Sequence, residues 1–207
     1  MTVYFHEIDI PNDILFKESV AIDTETMGLK TLRDRLCLIQ ISAGNGDAHL
    51  IKIDKSIASL QQKYKNLKKV LQNKNILKIF HFARFDLAAL NFYICKVEGN
   101  IWCTKIASKL SRTYANKHGL SDLTKELLSI EISKEQQSSN WGNKIISEKQ
   151  KKYASNDVLY LHNQKEKLEE ILLQENRLEL AEKVFSFLKV RVELDLSGFE
   201  DLDIFAH

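Results

Sequence analysis

Four acidic side chains in three short contexts carry the chemistry of this chain. Asp23 and Glu25 stand in Val20-Ala21-Ile22-Asp23-Thr24-Glu25-Thr26. Asp86 stands in Phe80-His81-Phe82-Ala83-Arg84-Phe85-Asp86-Leu87, and Asp157 in Tyr153-Ala154-Ser155-Asn156-Asp157-Val158-Leu159. Asp23 and Glu25 follow an apolar run and are two residues apart, so on a strand they leave the same face. Carboxylates side by side repel, and each raises the other's pKa unless a cation lies between them. An all-oxygen cluster suits Mg²⁺ or Mn²⁺ rather than zinc.

The elements that must position these groups are legible as patterns. Val3–Ile8, Val20–Glu25 and Leu36–Ser42 read as strands. Gly44-Asn45-Gly46-Asp47 reads as a turn, with Ala48–Ile53 the hairpin partner of the third strand. Ile57, Leu60, Tyr64, Leu67, Val70 and Leu71 recur at helical spacing. Ile76–His81 reads as a further strand, and Asp86 opens a helix running through Phe92. From Thr104 onward the pattern is almost entirely helical.

Ser147 with Gln150 forms a capping-box pattern that starts a long helix near Glu148. That helix sets Tyr153 and Asp157 one turn apart on one face. Ala154, Val158 and Leu161 adjoin them, so the face is partly buried. An aspartate is seldom buried unless paired or metal-bound. Strands first, then βα units, then helices predict an α/β fold, a mixed sheet flanked by helices with a helical C-terminal half.

The 207 residues hold one proline and seven glycines and no linker-like stretch, so a single domain over 1–207 is expected. Apolar residues make up 44%, enough for a sizeable core, and no apolar run approaches the roughly 18 residues of a membrane span. No secretory signal is visible at the start, and Cys37, Cys95 and Cys103 show no metal-ligand spacing. The expectation is a cytoplasmic protein with reduced thiols. The net charge is +2, which argues against wrapping a long duplex. Lys63, Lys65, Lys68, Lys69, Lys74 and Lys78 cluster, and a solvated helix face is the plainest reading of them.

Asp-x-Glu on a strand, an Asp after a strand and Tyr-x-x-x-Asp on a late helix, in that order, resemble the motif set of the DEDD 3′–5′ exonucleases. The tyrosine marks the branch that contains ribonuclease D, with a ribonuclease H-like fold. The match runs from about Val20 to Leu168. Four further stretches resemble the nanoRNase C group of α-proteobacteria, compact ribonuclease D relatives that degrade very short RNA. They are Asp34-Arg35-Leu36-Cys37-Leu38-Ile39-Gln40, Lys78-Ile79-Phe80-His81-Phe82, Cys103-Thr104-Lys105-Ile106-Ala107-Ser108-Lys109-Leu110 and Asp203-Ile204-Phe205-Ala206-His207.

The resemblance implies two divalent cations, Mg²⁺ or Mn²⁺, held by Asp23, Glu25, Asp86 and Asp157, with Asp23 bridging. It implies that Tyr153 orients the attacking water, and that His81 and Leu29 meet the terminal sugar and the bases. Lys134, Gln137, Ser138 and Trp141 are expected at phosphate or base, against the simpler reading of a structural loop. The expected substrate is short single-stranded RNA, including dinucleotides, hydrolysed to nucleoside 5′-monophosphates. The alternatives are a DNA exonuclease, a ribonuclease D-like RNA-processing enzyme, and a binding module that has lost catalysis. No room is expected for the additional C-terminal domains of full ribonuclease D. The resemblance also implies a homo-octameric ring, with residues 185–207 as a C-terminal extension used in assembly. Two positions depart from the wider family. Asn140 stands in Gln137-Ser138-Ser139-Asn140-Trp141 where an aspartate is usual, and Cys103 precedes Thr104 where Asp-Thr is common. Arg84 and Arg112 remain without a role.

Overall fold

The structure, a computed structural model, describes residues 1–53, 63–133 and 135–207. Ile57, Leu60 and Lys134 therefore lie outside the described residues. The sheet is built from β1 (Thr2–His6), β2 (Ser19–Thr26), β3 (Leu36–Ser42), β4 (Asp47–Lys52), β5 (Leu77–Phe80) and β6 (Ile101–Cys103). The helices are α1 (Lys65–Gln72), α2 (Ala83–Tyr93), α3 (Thr104–Ser111), α4 (Leu120–Leu128), α5 (Glu148–Leu159), α6 (Leu161–Gln174) and α7 (Leu178–Leu194). Strand order is β1-β4-β3-β2-β5-β6. The β2–β3 and β3–β4 pairs are antiparallel, whereas β1–β4, β2–β5 and β5–β6 are parallel. This is the expected mixed sheet flanked by helices.

Local chemistry explains most of the elements. Every residue of β3 is buried, as its near-continuous apolar run requires of a central strand. Gly44 and Gly46 both take positive φ in the turn to β4, a conformation that costs glycine least. The capping box is present: the Ser147 hydroxyl accepts from the Gln150 N–H, and the Gln150 side chain accepts from the Ser147 N–H. The Gln150 carboxamide also donates to Ser139 Oγ, 3.0 Å, tying the start of α5 to the loop before it.

Two expectations needed correction, and one strand had no sequence signal. The long helix breaks at Tyr160, where φ −106° and ψ −3° depart from helical values, so Leu161 opens a separate helix. The strand β6 carries only three residues, too few for an alternation pattern to show. Lys78 does not belong with the solvated lysines: it is fully buried in β5 and its ammonium donates to the Asn73 carbonyl. Lys65, Lys69 and Lys74 are exposed, as a solvated face requires.

Two cores result. The larger packs Val20, Ile22, Ile39, Ile41, Leu87 and Leu90 with residues from the later helices, including Leu168, Phe185, Leu188 and Val192. The smaller lies beneath α5 and joins Cys37, Leu38, Leu50, Trp141, Ile146 and Ala154. Arg84 makes a two-pronged pair with Asp195, at 2.6 and 2.8 Å, and donates to the Glu200 carbonyl. The turn after α7 is thereby fastened to the start of α2. Arg112 is fully buried and donates to Glu126, Ser108 Oγ and the Lys117 carbonyl, fixing the loop that leads into α4.

Candidate active site

The cluster forms because two elements bring acids to one end of β2. Asp23 and Glu25 leave the face of the sheet that α5 covers, and α5 returns Asp157 to them. Ligand oxygens of Asp23, Glu25 and Asp157 all lie within 4.8 Å of one another. The register of β2 against β3 shifts between Glu25 and Thr26. Such bulges re-aim side chains and are common beside active sites. Asp86 arrives from the first turn of α2 and is buried. Thr24, on the opposite face from Asp23, holds it: the Thr24 hydroxyl donates to Asp86 Oδ1 at 2.6 Å.

The electrostatics of this arrangement are uniform in sign. Burial pushes the Asp23 carboxyl up to about 7, against a backbone hydrogen bond from Thr24 that lowers it. Glu25 is raised well above its ordinary range by burial first, then by Asp23, Asp157 and Asp86. Burial and Asp23 raise Asp86, and burial, Asp23 and Asp86 raise Asp157. The Tyr153 phenol is raised by burial and by Asp157, Glu25 and Asp23, so at neutral pH it keeps its proton. Four acids that cannot all ionise together, offering only oxygen, fit hard divalent cations.

The remaining expected residues line one cleft of about 590 Å³ with Asp23, Glu25 and Asp157: Leu29, His81, Gln137, Ser138 and Trp141. Leu29 is 78% exposed at the tip of a loop pinned from below. Asp34 accepts from the Lys30 N–H at 3.0 Å, and a Cβ at Gly28 would collide with the Asp34 carboxylate at 2.3 Å. His81 Nδ1 lies 2.7 Å from Thr104 Oγ1, whose hydroxyl donates to the Phe80 carbonyl. That hydroxyl has one proton; where it goes to the Phe80 carbonyl, His81 Nδ1 is the donor and Nε2 is left as an acceptor. Burial, then the Lys105 ammonium, pushes His81 down to about 3, so it is neutral. Trp141 differs from the others: it is 3% exposed, with its ring 6.1 Å from that of Tyr153. Asn140 uses its side chain to accept from the Gly142 N–H, closing the turn that carries Trp141.

Two cleft residues escape a sequence reading. Phe82 is 44% exposed and has φ +69°, a left-handed conformation that a bulky side chain rarely adopts. Lys105 stands over its ring at 4.3 Å. An apolar residue between a strand and a helix reads as core, and only the backbone shows that Phe82 turns outward. Thr24 was likewise missed because its partner is 62 residues away.

The sequence pattern of the family described as 3′–5′ exonuclease matches residues 8–173. The chain belongs to the 3′–5′ exonuclease family. Among solved structures, Brucella melitensis NrnC with bound Mg²⁺ is 48% identical, with a TM-score of 0.92 over 100% of both chains. Brucella melitensis NrnC bound to pGG is 48% identical, with a TM-score of 0.94, covering 100% of this chain and 99% of that one. These matches support the expected likeness to nanoRNase C. Ribonuclease D of Desulfotalea psychrophila is 31% identical over 152 residues, 73% of this chain but 39% of that protein. The chain thus matches about two-fifths of the length of that ribonuclease D. No helix among its described residues is long and apolar enough to cross a membrane.

The carboxylate cluster has a pH signature. Its acids hold protons in the folded, metal-free state at pH values where the unfolded chain has lost them. The metal-free fold therefore loses stability as pH rises from about 4, the ordinary carboxylate range, through about 7 for Asp23. In EDTA at pH 8, Asp157→Asn should raise the melting temperature by about 3 °C or more, by removing one repelling charge. Saturating Mg²⁺ should stabilise the wild type and release protons, read by calorimetry in buffers of different ionisation enthalpy. A variant that melts lower than wild type in EDTA would contradict this account.

Proposed function

We propose that this protein is a divalent-metal-dependent 3′–5′ exoribonuclease that degrades short RNA, dinucleotides included, to nucleoside 5′-monophosphates. The observation that carries the proposal is the convergence of Asp23, Glu25 and Asp157 with Asp86 behind them. It is supported by end-to-end similarity to a protein solved with Mg²⁺ and with pGG.

Asp23, Glu25, Asp86 and Asp157 would hold two Mg²⁺ or Mn²⁺ ions, which supply an acidified water and charge stabilisation at the leaving 3′ oxygen. Tyr153 cannot act as a base while it keeps its proton, so its hydroxyl orients the water. His81 offers Nε2 to a hydroxyl of the terminal ribose. Leu29 and Phe82 flank the bases, with Lys105 beside them near phosphate. Gln137 and Ser138 reach the cleft from the loop that also carries Lys134, which lies outside the described residues. A base cannot stack on a buried indole, so Trp141 backs Tyr153 from the small core rather than touching substrate.

Alanine at Asp23, Glu25, Asp86 or Asp157 should lower turnover by at least about a hundredfold while circular dichroism stays native. Tyr153→Phe should lower kcat about a hundredfold with little change in KM. If two of the four alanine variants keep near-wild-type turnover, the site assignment is wrong.

Substrate length separates this reading from RNA processing. Specificity constants for RNAs of two, three, five and ten nucleotides, with DNA counterparts, should favour the shortest RNA. A net charge of +2 gives little hold on a long phosphate backbone, so dinucleotide affinity should vary weakly with salt. A tenfold preference for the longest RNA would place the protein with processing exonucleases.

Assembly into a homo-octamer belongs to the same proposal. Phe187, Val190, Phe199, Leu202, Ile204 and Phe205 are exposed on α7 and the segment after it. Apolar side chains gathered in this way mark a contact surface. Light scattering at micromolar concentration should give an octamer, and removal of residues 195–207 should dissociate it. A monomeric intact chain would refute it.

A further inference from the structure

One buried polar side chain beside the acids is used by nothing described so far. Gln40 lies on β3 directly opposite Asp23 in the antiparallel register, so the two side chains leave the same face as cross-strand neighbours. It is fully buried. Neither its carboxamide nitrogen nor its oxygen has a hydrogen-bond partner. Orphaned buried amides are rare in folded proteins, because such a group gives up water and gains nothing in return.

The neighbours narrow what this amide is for. On the other side Gln40 is paired with Leu50, which belongs to the small apolar core together with Leu38. Further along the same face of β3, Ser42 is satisfied, donating to the Asp47 carbonyl at 2.7 Å and accepting from the Gly44 N–H. A leucine or methionine would fill the slot of Gln40 without orphaning any polar atom. The one polar group facing it in register is the Asp23 carboxyl, whose described hydrogen bonding comes from the Thr24 backbone.

We infer that Gln40 is a positioning residue for Asp23: its carboxamide N–H holds the Asp23 carboxylate when the acids carry their cations. The inference rests on the metal-dependent reading above. An ionised carboxylate is the stronger acceptor, so the contact is favoured in the loaded state. A donor on one edge of the carboxylate fixes the orientation of the other edge toward the ions. Such supporting contacts commonly change metal affinity by about ten- to a hundredfold.

The test uses Gln40→Leu and Gln40→Met, both close to glutamine in volume and without a donor. Two quantities are read on the full chain: the melting temperature in EDTA, and the Mg²⁺ dissociation constant by calorimetry. The expected result is a melting temperature equal to or above that of the wild type, with Mg²⁺ bound at least about tenfold more weakly by both variants. Mg²⁺ affinity within twofold of wild type in either folded variant overturns the inference. So does failure of both variants to fold, which would make the amide a structural group. A wild type that binds no Mg²⁺ would instead defeat the metal-dependent reading itself, a distinguishable outcome.

Discussion

Mutual repulsion among four acids is the constraint on which the rest of this structure depends. Asp23, Glu25, Asp86 and Asp157 are brought together where burial already disfavours charge. Nothing in the cluster itself favours that approach without counter-charge. The scaffold must therefore impose it. β2 does so from the middle of the sheet, between β3 and β5, and α5 does so through Ala154 in the small core. The cluster is held by apolar packing around it, which is the physical sense in which a rigid scaffold preorganises a site.

The supporting contacts divide the work by face. On the α5 side, the capping box fixes where the helix begins and hence the height of Tyr153 and Asp157 above the sheet. The same Gln150 reaches the Ser139 hydroxyl and the Asn140 carbonyl, so helix start and loop move together. On the α2 side, Thr24 clamps Asp86, and Arg84 on the same helix is clamped to Asp195. The two positions that depart from the wider family fit into this support. Asn140 closes a turn that an aspartate oxygen could close equally well, and Cys103 is buried at the end of β6. Neither lies among the four acids.

Much of this was legible in the sequence because it rests on local signals. The same-face spacing of Asp23 and Glu25, the i, i+4 spacing of Tyr153 and Asp157, and the Ser147–Gln150 box each involve neighbours within one element. The unread features depend on groups far apart or on backbone geometry. Thr24 and Asp86 meet across two elements, and β6 is too short for periodicity to register. The break at Tyr160 was hidden because apolar spacing continues through Val158, Leu159 and Leu161 without interruption. Trp141 was expected at phosphate or base with its loop neighbours, whereas its burial is a tertiary outcome that no local pattern shows.

Phe82 shows how the fold meets the cost of presenting a cleft. A left-handed phenylalanine is unfavourable by about 1–3 kcal/mol and persists only where its surroundings determine it. Those surroundings are on both sides. Phe80 is buried in β5, its carbonyl taken by the Thr104 hydroxyl, and Ala83 is buried at the start of α2. The chain must turn between two fixed points within two residues, His81 and Phe82, and Phe82 takes the left-handed dihedral. The same turn sets His81 against Thr104 and aims the first turn of α2 so that Asp86 reaches Thr24. One strained dihedral thus places two cleft side chains and the buried Asp86 at once. Relieving it would move the Phe82 ring, the His81 imidazole and the Asp86 carboxylate together, which explains why an aromatic ring is left half exposed there.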